Sequence, residues 1–106
     1  MMIGDMRRKL TLERIVRTGD GGGGANEAWV SVAQIWAAIA SLRGDEGLRE
    51  QRVSGRVSHE ISMRYRSDVE PEMRFSIDGR VFQILAVIDP DQRRRRLNCL
   101  CEEREL

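Results

Sequence analysis

The chain has 106 residues, with 18 basic and 17 acidic side chains for a formal charge of +1; 41% of its residues are hydrophobic and 33% are charged. A chain this short holds one small core, so residues 1–106 are expected to form a single domain, and the balanced charge argues against both a disordered chain and a general polyanion binder. No run approaches the roughly 18 apolar residues of a membrane span, and Asp5, Arg7 and Arg8 place charge where a secretory signal would be apolar, so synthesis and use in a cytoplasm are expected, with no membrane partner.

The dominant period is two, which is the repeat of half-buried strands. Leu10, Leu12 and Ile15, set among Thr11, Glu13 and Arg14, predict a first strand with one shift of face, as a bulge would produce. Residues 18–27, with Gly21, Gly22, Gly23 and Gly24 following Asp20, have great backbone freedom and nothing to bury, so they predict an exposed, mobile loop. The apolar stretch from Trp29 to Leu42 fits helix or strand by periodicity. Its Trp29, Val30, Val32, Ile35, Trp36 and Ile39 favour the strand.

Gly44 to Gln51 then predicts a short helix, over about residues 44–52, with Asp45 and Glu46 at its start and Arg49 near its end, as the helix dipole prefers. The clearest strand runs from Val53 to Tyr65, where Val57, His59, Ile61 and Met63 alternate with Ser58, Glu60, Ser62 and Arg64. Met73, Phe75 and Ile77 lead into Asp78-Gly79 and the apolar run Val81 to Ile88, a hairpin closed by a tight Asp-Gly turn. Asp89-Pro90-Asp91-Gln92 predicts another turn, after which Leu97, Cys99 and Cys101 share one face of a last strand. The expected fold is all-β, an antiparallel β-barrel of five to six strands with one short α-helix and long mobile loops. Trp36, Ile61, Met63, Phe75, Phe82, Ile84 and Leu97 are its expected core.

Catalytic and cofactor motifs are weak. The four glycines are followed by neither the lysine and hydroxyl residue of a phosphate loop nor a helix, so no nucleotide cofactor is expected. His59 falls on the apolar face of a strand, where a hydrogen-bonded structural histidine is the common case, and no serine or cysteine is placed to be its nucleophile. Cys99 and Cys101 are one residue apart and read as buried strand thiols; with one histidine in the chain and no carboxylate at a ligand spacing, no metal is expected. The strongest local charge is Arg93-Arg94-Arg95-Arg96, flanked by Asp89, Asp91, Glu102 and Glu103. Four guanidinium groups on a turn suit docking to acidic protein or to phosphate, and the low aromatic content, 5%, favours protein over stacked bases.

The ordered set Trp29-x-x-Val32-Ala33-x-x-Trp36-Ala37-x-Ile39-x-x-Leu42-x-Gly44, His59-x-Ile61-x-Met63-Arg64-Tyr65-Arg66, Pro71-x-Met73-Arg74-Phe75, Gly79-Arg80-x-Phe82-x-Ile84 and Asp89-Pro90-Asp91 with the arginines and Leu97-x-Cys99-x-Cys101-Glu102-Glu103 spans nearly the whole chain. In order and spacing it resembles the head-tail joining proteins of tailed phages, also called head completion or stopper proteins. The resemblance implies a small β-barrel in the virion, at the head-tail interface, made in the bacterial cytoplasm of a phage, prophage or gene transfer agent host. Its implied partners are the portal or adaptor protein of the capsid vertex, a tail completion or tail protein, and copies of itself in a ring, a dodecamer in the particle and a monomer or weak oligomer in isolation. DNA would pass through the channel without sequence-specific binding. The family brings no catalytic residues, so no enzyme is expected.

Arg93, Arg94, Arg95 and Arg96, with Arg43, Arg49 and Arg52, are the expected docking or channel residues, and the loop Asp20 to Gly24 or the Arg43 to Arg52 segment is expected to order against a neighbour. The loop Asp20 to Glu27 is more glycine-rich than the usual family pattern. The alternative is a small β-barrel of the oligonucleotide-binding type, resting on the arginine run and the loops.

Overall fold

The computed structural model describes residues 8–19, 21–42 and 57–104. The predicted helix, and with it Arg43, Arg49 and Arg52, lies outside the described residues, as do Asp20 and residues 53–56 of the predicted third strand. Six strands follow in order: β1 Arg8–Gly19, β2 Ala25–Ser41, β3 His59–Arg64, β4 Arg74–Ile77, β5 Arg80–Ile88 and β6 Arg96–Arg104. They close into an antiparallel barrel in the spatial order β1-β2-β3-β6-β5-β4. Within the barrel itself closure removes the sheet edges that would otherwise invite indiscriminate pairing.

The register follows the alternation in the sequence. Ile61 of β3 stands between Ile39 of β2 and Cys99 of β6, and Met63 stands between Ala37 and Leu97. These side chains, with Leu10, Leu12, Phe75, Phe82 and Ile84, fill the barrel interior, and Phe75 and Phe82, directly opposite each other on β4 and β5, are both fully buried. The Asp78-Gly79 turn has positive φ at both residues, 50° and 79°, the geometry whose twist matches a two-residue hairpin.

Six of the seven expected core residues are buried, and Trp36 is the exception, with 57% of its surface exposed. Ile35 and Ala37 take the inward phase on either side of it. A six-stranded barrel has room for only a few large side chains, and Ala37 fits opposite Met63 where an indole would not. The loop is also shorter than expected: Thr18 pairs with Asn26 and Gly19 with Ala25, so both strands continue almost to the tip. Arg17 Nε donates to Glu27 Oε2 at 2.6 Å across this ribbon.

Two bulges shape the outside. Leu12 faces Ala33 while Glu13 faces Ser31, so the extra residue is Val32 of β2; the bulge expected in the first strand lies on its partner instead, and β1 runs on uninterrupted. On β5, Ile84 faces Cys101 and Ala86 faces Leu100, which leaves Leu85 as the extra residue. β1 pairs with β4 only over Thr11 to Glu13, and β2 with β3 only over Ala37 to Ser41. Beyond those points, among the described residues, β1 and β2 form a two-stranded arm.

Candidate interaction surfaces

The arginine run sits on the β5–β6 connection and is built as a turn. Asp89 Oδ2 accepts from the backbone N–H of Arg94 at 3.1 Å, Asp91 Oδ1 accepts from that of Arg93 at 3.1 Å, and the Arg95 guanidinium donates to Asp91 Oδ2 at 2.9 Å and 3.2 Å. The backbone N–H of Arg93, and then Arg95, hold the Asp91 carboxyl below its ordinary value. Gln92 and Arg94 adopt positive φ, 57° and 58°, so the chain reverses tightly and displays Arg93, Arg94 and Arg95 to solvent; Arg96 is half-buried at the start of β6. The four arginines therefore differ, since the turn's own aspartate already partners Arg95.

At the opposite end of the barrel a polar cluster closes the core. The Arg80 guanidinium donates to both carboxylate oxygens of Glu103, at 2.8 Å and 3.0 Å, and lies 4.9 Å over the Phe82 ring. This fork, more than any other contact, holds the Glu103 carboxyl below the usual carboxylate range. His59 sets its ring edge-on to Phe82 at 5.1 Å, its Nδ1 is 2.9 Å from Ser58 Oγ, and its Nε2 is 3.8 Å from Glu103. Ser58 Oγ in turn accepts from the backbone N–H of Glu103 at 2.9 Å. Each group is tied to a neighbour and packed on the core, which is the arrangement of a structural histidine.

Cys99 and Cys101 are free and fully buried. Burial pushes the Cys99 thiol up to about 12 and raises Cys101 as well. Both are expected to stay unlabelled by a maleimide in native buffer and to react once urea unfolds the barrel; fast native labelling, followed by mass spectrometry, would show β6 opening locally.

Two surfaces escaped the sequence reading. On one side the exposed Trp36 faces Lys9 across the β1–β2 pairing, with Lys9 Nζ 5.9 Å from the ring centroid. Ile35, Trp36, Met63, Arg64 and Arg66 line a recess of about 220 Å³ there. On the other side the arm curls over β4 and β5. Arg74 Nε donates to Glu13 at 2.7 Å while its guanidinium stacks 4.1 Å from the Trp29 ring, a half-buried clasp at the base of the arm. The arm and the barrel wall enclose a groove of about 530 Å³ whose apolar lining includes Ile15, Trp29, Pro71, Ile84 and the bulged Leu85. Outward Trp36 was readable only once its phase was known; the groove depends on a bulge that no residue type announces.

A family model for the phage head completion protein matches residues 1–104. The chain belongs to the phage head completion protein family. It is a structural protein of the phage head. Among solved structures it is similar to a chain of a structure described as the virion of a native gene transfer agent particle, 29% identical, covering 94% of this chain and 96% of that one with a TM-score of 0.65. It is also similar to protein SF1141 from Shigella flexneri 2a, 29% identical over 97% of this chain and 96% of that one, with a TM-score of 0.74. No curated protein matches the chain.

Proposed function

We propose that this protein is a head-tail connector subunit of a tailed phage, prophage or gene transfer agent. It assembles as a ring on the portal, extends the DNA channel and presents its far face to the tail. The observation that carries the reading is the match to the family over nearly the whole chain, supported by the likeness to a chain of a gene transfer agent virion. The domain is one barrel whose work is done by its surfaces, and no reaction is assigned to it. A strain lacking the gene is expected to accumulate DNA-filled heads and free tails, and purified protein added to such an extract is expected to restore tailed particles. Tailed particles at normal yield in the deletion strain would overturn the reading.

Within that reading the arginine turn docks on acidic protein or lines the channel, since the exposed guanidinium groups of Arg93, Arg94 and Arg95 have no place in the core. Replacing Arg93, Arg94, Arg95 and Arg96 by serine is expected to leave the circular dichroism spectrum and the unfolding midpoint nearly unchanged and to lower the yield of full, tailed particles. A normal yield would reduce the run to a solubilising face. The nucleic-acid-binding alternative makes a different demand on the same turn: the isolated protein would retain DNA on a filter, with a steep loss of affinity as salt rises.

A further inference from the structure

The two surfaces that flank the barrel fit each other. In the closed order of six strands β2 and β3 lie three places from β5 and β4 respectively, so the Trp36 face and the Leu85 wall of the groove are on opposite sides of the barrel, the groove's other wall being the β1–β2 arm. Opposite, unlike patches are what a head-to-tail ring requires, because each copy must offer one surface to the copy before it and another to the copy after it.

Three independent features match across the two sides. The first is charge. Lys9 and Arg64 have no acidic partner among the described residues, and Arg66 beside them is already held by Asp68 through two hydrogen bonds of 2.9 Å and 3.0 Å. On the groove side Glu70 and Glu72 are exposed and form no ion pair among the described residues, while Arg17 with Glu27 and Arg104 with Glu102 neutralise each other. Among the described residues one face therefore keeps two uncompensated cations and the other two uncompensated anions. Arg64, at the end of β3, and Glu70 and Glu72, on the connection from β3 to β4, also lie toward the same end of the barrel.

The second feature is shape and polarity. Trp36 is the most exposed large hydrophobic side chain among the described residues, and the groove is of mixed lining, with Pro71, Ile84 and Leu85 set among Glu72, Gln83 and Arg104. An indole suits such a site, because tryptophan packs its apolar ring and donates its N–H to a polar neighbour.

The third is the backbone. Among the described residues the arm has two open edges: β2 has no strand partner over residues 25–36 on the side away from β1, and β1 has none over 14–19 on the side away from β2. The first edge borders the Trp36 face and the second borders the groove. Rotation about an axis parallel to the barrel keeps every β1 pointing one way and every β2 the other, so β2 of one copy meets β1 of the next antiparallel, as within the arm itself. Two-stranded ribbons are marginal alone, and added strands complete their hydrogen bonding.

We propose that a second copy of this chain docks its Trp36 face, with Lys9, Arg64 and the free edge of β2, onto the Leu85 groove of the next copy, with Glu70, Glu72 and the free edge of β1. The inference rests on the connector reading and specifies which surfaces build its ring.

The test uses single Arg64→Cys and Glu72→Cys variants of the full chain, cross-linked with a short bis-maleimide both free at several hundred micromolar and bound to the portal. The native thiols are buried and give little background. Neither single variant is expected to cross-link to itself, an equimolar mixture is expected to give a heterodimer, and the double variant a ladder of oligomers. Separately, Lys9→Glu with Arg64→Glu is expected to weaken self-association at least tenfold, and a partner carrying Glu70→Arg with Glu72→Arg is expected to restore it to within a few-fold. Efficient homodimers of one single variant, or no cross-link in either state of the mixture, would overturn the proposed faces. If the mixture forms a stoichiometric complex with portal but no cross-link, the ring uses other surfaces and the connector reading stands. If neither complex nor cross-link forms, both fail.

Discussion

Phe82→Ala is expected to destabilise the protein by about 3–5 kcal/mol, a large share of the roughly 5–15 kcal/mol that holds a small domain together. Phe82 is fully buried opposite Phe75, and removing its ring leaves a cavity that closed strands cannot collapse to fill. The loss extends past the core, because His59 packs its ring edge against Phe82 and the Arg80 guanidinium covers its face. Trp36→Ala removes a larger side chain but is expected to change stability by no more than about 0.5 kcal/mol, because the indole is mostly in water. Urea unfolding of the two variants beside the parent measures both effects. Equal losses would mean that Trp36 is buried and that the phase assigned to β2 is wrong.

That phase marks where the sequence ran out as a guide. Val57 to Met63 and Met73 to Ile77 alternate cleanly, and their inward residues are those that fill the barrel. The Asp-Gly pair announced its hairpin because few residues other than glycine accept positive φ, and the turn uses it at both positions. Trp29 to Leu42 offered no such contrast. Apolar residues occupy both phases there, and what decides between them is how little room the barrel leaves beside Met63 and Leu97, a property of six strands together. Neither bulge had a local signature: Val32 and Leu85 are ordinary strand residues, yet the second of them supplies part of the groove.

The arginine turn lies between these extremes. Its position was legible from Asp89-Pro90-Asp91 and its exposure from charge, whereas the division of labour within it was not. Arg95 folds back on Asp91 four residues earlier, so the solvent-displayed charge of the run that this aspartate does not hold is that of Arg93 and Arg94. Exposed pairs of this kind contribute little energy, but they fix where the remaining guanidinium groups point.

The purified protein is expected to be a monomer or a low, concentration-dependent oligomer, and added portal is expected to convert it to a saturating, stoichiometric ring. Obligate interfaces are large and apolar, and among the described residues the only large hydrophobic side chains strongly exposed are Trp36, at 57%, and Ile88, at 41%. The proposed contact, of one tryptophan, two charge pairs and a short run of strand pairing, is expected to be specific with modest affinity. A symmetric portal changes the balance without any new contact between copies. Each bound subunit presents its groove to the next docking position, so the second interaction becomes effectively intramolecular, at an effective concentration that reaches about millimolar when the linkage is short and flexible. Ring closure adds one further interface with no additional subunit to immobilise. Light scattering at tens of micromolar, with and without portal, reads the conversion directly, and Lys9→Glu with Arg64→Glu is expected to leave portal binding measurable while removing its cooperativity. A stable high-order ring formed without portal would refute the template, and a protein that ignores portal altogether would remove the connector assignment with it.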